Sequence, residues 1–224
     1  VSVVALFLLL VIFLAHRKYE EDYDWSAVYS LMLFSTCGVI LLFGQRNLLT
    51  LFLGIEIMSI PLYVLAASKR NQAISLEAGL KYFILGAIAS GFLLFGGSLL
   101  YGATGSLCFS DWMLLSQVDR STFFILGMVF LFVGFLFKLS AFPFHVWTPD
   151  VYEGAPTFIT AFFALVPKIA VLALFFKLLS TSFYTSIEQW QPLLVTAAIG
   201  SMLIGALGAL GQQRLKRLFA YSTI

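Results

Sequence analysis

An all-α, polytopic membrane protein is the fold class this sequence predicts. Three observations carry it: 61% of the 224 residues are hydrophobic and only 11% charged, the mean hydropathy is +0.98, and apolar runs of membrane-crossing length recur along the chain. A soluble domain has about 25% charged residues. One core of this size cannot hide so much apolar side chain from water, 24 phenylalanines included. A formal net charge of +2 leaves neither a basic stripe for nucleic acid nor an acidic tail. The lipid bilayer and other membrane proteins are therefore the expected partners. Cys37 and Cys108 form no CxxC pair and no metal-ligand spacing.

A helix crosses the bilayer with about 20 mostly apolar residues. The first apolar run, 1–15, is short and is followed by His16, Arg17 and Lys18. That order is the reverse of a signal peptide, so a truncated span is expected. The next spans are 26–44, 47–67, 77–101, 122–142, 157–181 and 190–210, and an eighth begins after Arg217 and stops at Ile224. About seven transmembrane helices plus a partial eighth are thus expected, with ends that suit a fragment or one piece of a split protein. Arg17, Lys18, Lys69, Arg70, Arg214, Lys216 and Arg217 share one side of the membrane, against Arg46, Arg120 and Lys177 on the other. The excess puts the first group in the cytoplasm or the mitochondrial matrix. Small residues at helical spacing, Gly86 with Ser90, Ser201 with Gly205 and Gly205 with Ala209, predict close helix packing rather than a nucleotide loop.

Lys81, Lys138, Lys168 and Glu56 fall inside apolar spans. Ionised, they oppose insertion by roughly 10 kcal/mol together, so a function is expected of them. Glu56 and Lys168 lie near mid-span, beyond snorkelling reach, and read as a proton site or as a static ion pair locking two helices. Lys81 is five residues into its span, where snorkelling explains it as well as function does. For Lys138 the question is what Pro143 does. The run Pro143-Phe-His-Val-Trp-Thr-Pro-Asp-Val-Tyr-Glu-Gly-Ala-Pro156 predicts a helix broken at Pro143 and resumed over Val146 to Gly154, with Thr148 and Pro149 suiting the restart. Broken helices inside membranes line ion paths, which places Lys138 at depth rather than at the interface. His145 at the break is either a proton relay or a donor to a freed carbonyl.

A desolvated lysine can lose and regain a proton near neutrality, and a nearby carboxylate reverses that tendency. Motion of one charge thus loads or empties another. Ser59, Ser90, Ser140 and Thr160 are candidate links, and Pro167 beside Lys168 removes a backbone bond. With two histidines and no HExxH, GxSxG or phosphate loop, metal catalysis and hydrolysis have little support.

The segments Gly54-Ile-Glu-Ile, Ser75-Leu-Glu-Ala-Gly-Leu-Lys-Tyr-Phe, Phe137-Lys-Leu-Ser, Trp147-Thr-Pro-Asp-Val-Tyr, Lys168-Ile-Ala and Arg214-Leu-Lys-Arg-Leu-Phe-Ala-Tyr-Ser resemble the antiporter-like subunits of proton-pumping NADH:quinone oxidoreductase. The likeness is strongest to subunit N and its mitochondrial counterpart, NADH dehydrogenase subunit 2 of complex I. The resemblance implies one antiporter-like five-helix repeat over 26–181, preceded by a truncated span and loop over 1–25 and followed by the opening of a second repeat over 182–224. It implies proton transfer through Glu56, Lys138 and Lys168, with Lys81 and His145 as further candidate relays, coupled to quinone reduction elsewhere. NADH, FMN, iron–sulfur clusters and quinone would then belong to other subunits, and no cofactor to this chain. Neighbouring membrane subunits and a second chain supplying the missing half are the implied partners. A mitochondrial inner membrane is the expected location, with a bacterial plasma membrane as the alternative. Phe158 departs from the family, which usually has a second proline there. The competing expectations are a non-conducting scaffold of the same complex and a cation/proton antiporter subunit.

Overall fold

The computed structural model describes Val11, residues 23–115 and residues 121–224. The expected span 1–15, Val11 apart, and the residues His16, Arg17, Lys18 and Arg120 lie outside the described residues. Six helices among those described are long and apolar enough to cross a membrane. They are α1 (Trp25–Phe43), α2 (Leu48–Ala66), α3 (Ala73–Thr104), α5 (Thr122–Leu139), α7 (Thr157–Ser180) and α8 (Ile187–Leu210), the last preceded by a 3₁₀ turn at Tyr184–Ser186. Shorter helices α4 (Phe109–Leu115), α6 (Trp147–Gly154) and α9 (Leu215–Thr223) complete the order. The segment after Arg214 forms a helix over Leu215–Thr223.

Several boundaries rest on local chemistry. Asp24, Asn47 and Ser121 stand before α1, α2 and α5, each accepting a backbone N–H of the first turn: Ala27, Thr50 and Phe124. The α3 helix runs 32 residues, one turn further toward the basic side than the apolar run indicates. Its start is fixed by the Ser75 hydroxyl, which donates to the Ala66 carbonyl at 2.9 Å. It ends at Gly105, which takes a left-handed φ of 68° that a side chain disfavours.

The expected break in the fifth span is present, but it starts before Pro143. Helix α5 stops at Leu139 because Ser140 turns into the left-handed region, at φ 62°. The Ser140 amide then bonds Phe137 O at 3.0 Å and the Ala141 amide bonds Leu136 O at 2.8 Å, the two closing bonds of a Schellman motif. Lys138 is thus in the last turn of α5. Helix α6 resumes at Trp147, one residue later than expected.

Helix α7 is the most buried of the six spans and α8 the least. Around α7 pack Phe132 and Phe135 of α5, each about ring-contact distance from Phe175 at 4.9 and 5.0 Å. Helices α3 and α5 cross with backbones nearly touching: a methyl on Gly96 would lie 2.7 Å from Gly127 O, and one on Gly127 would lie 2.9 Å from Gly96 O. Small residues at this crossing are what permit it.

Candidate functional site

Glu56, Ser59 and Tyr63 lie on α2 at spacings of three and four residues, and so on one face of it. That face looks toward the end of α5. The Lys138 ammonium, buried at 6% exposure, donates to Ser59 Oγ at 2.8 Å and to Tyr63 Oη at 3.0 Å. One turn away, the Glu56 carboxylate accepts a hydrogen bond from Ser90 on α3. Among the described residues, Glu56 and Lys138 form no direct ion pair. Lys138 has Ser59 and Tyr63 as its hydroxyl partners and Glu56 has Ser90, and each hydroxyl both donates and accepts. Ser59 thus bonds Lys138 and Ser90 bonds Glu56.

Tyr63 is the residue that reading omits. Its ring meets Tyr82 edge-on at 4.8 Å, and its hydroxyl lies so close to the Cα of Gly86 that a methyl there would collide with it. Gly86 therefore has a specific task, which is to admit the phenol that holds Lys138. The seven-residue offset from Glu56 is the signal in the sequence that points to Tyr63.

The broken segment is tied down by protein groups. The Trp147 indole donates to Phe137 O at 3.1 Å and stacks on Tyr82 at 4.5 Å and 9°. The Phe142 amide donates to Ser201 Oγ of α8 at 2.8 Å. Thr160 does not join the lysines. Its hydroxyl bonds Tyr152 O and Pro156 O, both at 3.1 Å, and closes the α6–α7 junction. Buried Ser140 Oγ, His145 Nδ1 and Thr148 Oγ1 have no hydrogen-bond partner among the described residues. The His145 ring stacks on Phe142 at 6.0 Å.

Lys168 of α7 is half-buried. Its ammonium lies 5.7 Å from the centre of the Tyr152 ring, within cation–π range, and donates to Thr223 O of α9 at 3.3 Å. Lys81 is in a different setting, a charged cluster at the basic side. It pairs with Glu77 and with Asp150 Oδ2, both at 2.7 Å. Asp150 Oδ1 pairs with Arg217 at 2.9 Å, Arg217 also reaches Glu153 at 3.3 Å, and Arg214 pairs with Glu153. Arg214 and Arg217 thus share one end of the fold with the loop bearing Lys69 and Arg70, as the charge count predicts. Among the described residues no cluster of His, Cys, Asp or Glu is placed to hold a metal ion.

Residues 45–224 match the NADH:quinone oxidoreductase/Mrp antiporter transmembrane family, and the chain belongs to that family. It is 48% identical over 195 residues to NADH-quinone oxidoreductase subunit N of Parvibaculum lavamentivorans, covering 87% of this chain and 40% of the relative. In structure it is similar to a chain of respiratory complex I from Thermus thermophilus, with a TM-score of 0.76 and 38% identity, over 88% of this chain and 42% of that one. It is also similar to a chain of the membrane-bound sulfane sulfur reductase, an archaeal respiratory membrane complex. There the TM-score is 0.84 at 30% identity, over 98% of this chain and 46% of the other. The chain spans about two fifths of the length of the curated relatives it matches.

Proposed function

We propose that this chain is the first-repeat portion of a proton-translocating membrane-arm subunit of NADH:quinone oxidoreductase. The observation that carries the reading is the placement of Lys138, whose ammonium gives two of its three N–H donors to hydroxyls on the helix of Glu56. A buried ammonium held only by neutral, rotatable hydroxyls can pass a proton and take it back with small movements. A fixed carboxylate partner would hold the charge in place. The route runs from Lys138 through Ser59 toward Glu56 and Ser90 on one side, and toward Lys168 on the other. Ser140, His145 and Thr148 at the break offer buried polar atoms of the kind internal water serves.

Residues 26–181 form one five-helix repeat in this reading, built of α1, α2, α3, the broken α5–α6 pair and α7. Helices α8 and α9 open a second repeat. The largely uncovered face of α8 suits the packing of that second repeat, supplied by further sequence or by a second chain. NADH, FMN, iron–sulfur clusters and quinone are handled by other subunits of the assembly, and neighbouring antiporter-like subunits flank this one. The chain is a multi-pass membrane protein. The bacterial origin of its curated relatives favours a bacterial plasma membrane over the mitochondrial inner membrane.

The test is made in the assembled complex in sealed vesicles, with NADH oxidation and proton uptake measured together. Lys168→Ala and Glu56→Ala each lower the protons moved per NADH. Full pumping in both variants would establish the scaffold reading instead, and sodium-dependent transport without NADH would establish the antiporter.

A further inference from the structure

Helix α6 has eight residues, too few to hold its position by helix propensity alone. Its place is set by what grips it. On the basic side the two oxygens of Asp150 are divided between two helices: Oδ2 to Lys81 of α3 at 2.7 Å, and Oδ1 to Arg217 of α9 at 2.9 Å. Three residues on, Glu153 takes Arg214 and Arg217. Lys216 donates to the carbonyls of Glu153 and Ala155 at 3.2 and 2.7 Å, placing a cation at the negative end of the helix. Helix α9 therefore grips α6 at several points, whereas α3 reaches its charged side through one ion pair, Lys81 to Asp150.

Two further contacts of α6 bear on Lys138 and Lys168. Trp147, its first residue, bonds the carbonyl of Phe137, the neighbour of Lys138. Tyr152, in its last turn, presents its ring to the Lys168 ammonium. Thr223, at the far end of α9, receives the Lys168 hydrogen bond. A small rotation of α6 thus alters the surroundings of Lys138 and Lys168 together.

We infer that Asp150 is a positioning residue: its carboxylate clasps α6 between the first repeat and the opening of the second, and so sets the relation between Lys138 and Lys168. Asp150 exchanges no proton in this role. The inference rests on the proton-transfer reading of the two lysines.

The experiment uses the whole complex in sealed vesicles, checks assembly on native gels, and reads protons moved per NADH oxidised. Exchange across partly exposed ion pairs is worth a modest factor, so Asp150→Asn is expected to lower the yield about two- to fivefold while NADH oxidation continues. Asp150→Glu restores most of it, because the charge and both partners are kept. Adding Lys81→Met to Asp150→Asn brings no further loss, since both changes open the same contact. Full yield in Asp150→Asn, failure of the glutamate to rescue, or multiplied losses in the double variant would each overturn the clasp. If Asp150→Asn does not assemble, Lys81→Met alone, which leaves α6 held by α9, must show the same loss, and full yield there overturns the proposal. Lys168→Ala separates the two levels. Its loss alongside an unaffected Asp150→Asn sinks the clasp alone. An unaffected Lys168→Ala sinks the proton reading, and the clasp with it.

Discussion

Lys138 donates to the phenol of Tyr63 at 3.0 Å across 75 residues of chain, and the same ammonium reaches Ser59 one turn away at 2.8 Å. Both partners are neutral. Hydrogen bonds to charged groups contribute about 1.5–3 kcal/mol each, so these two set where the buried amine points. Tyr63→Phe keeps the ring and its contact with Tyr82 but removes the hydroxyl. The expected outcome is an assembled complex whose proton uptake is roughly tenfold slower, at about 1.4 kcal/mol per factor of ten. Ser59→Ala with Tyr63→Phe lowers it further. A pH-sensitive dye in sealed vesicles measures both.

Gly86→Ala attacks the same bond from the other helix. The new methyl would occupy the space of the Tyr63 hydroxyl, and overpacking of this kind costs about 1–3 kcal/mol. Lower thermal stability and slower pumping are expected together. Gly91, on the same helix with open space around it, is the control. There alanine is neutral or adds about 0.5–1 kcal/mol, which thermal unfolding of the purified complex distinguishes.

Asp24 caps α1 outside the membrane layer. Its carboxyl is held below the ordinary carboxylate range, first by the Ser26 hydroxyl and then by the Ala27 amide. A depressed folded-state value means that the cap's contribution is complete at neutral pH. It fades only as pH falls below about 4 and on through the lowered value. Hydrogen exchange at the first turn of α1 is therefore expected to accelerate only in acid in the native chain. In Asp24→Ala it is fast at neutral pH as well.

Much of this architecture is legible from residue order, for physical reasons that differ by element. Five of the six spans begin and end within a few residues of the apolar runs, because lipid demands length and apolarity and little else. The helix break is visible from Pro143, yet its actual start depends on Ser140 accepting a left-handed conformation, which no composition rule announces. Glu56, Ser59 and Ser90 are recognisable as polar groups in apolar runs. Tyr63 is concealed because a tyrosine in a membrane helix passes for ordinary packing. Asp150 sits in the recognised Trp-Thr-Pro-Asp-Val-Tyr run, but its pairing with Lys81 crosses 69 residues and exists only once α3 and α6 are packed. The same holds for Lys168, whose partners Tyr152 and Thr223 come from two other helices.

The proposed proton relay requires Glu56 to exchange protons during turnover. Infrared difference spectra of the assembled complex, recorded between the resting state and steady NADH oxidation, read this directly through the carboxyl stretch. The expected result is a band for a protonated carboxyl that changes on turnover, shifts in deuterium oxide and disappears in Glu56→Gln. A difference spectrum in the carboxyl region that is identical in the native complex and in Glu56→Gln would contradict it.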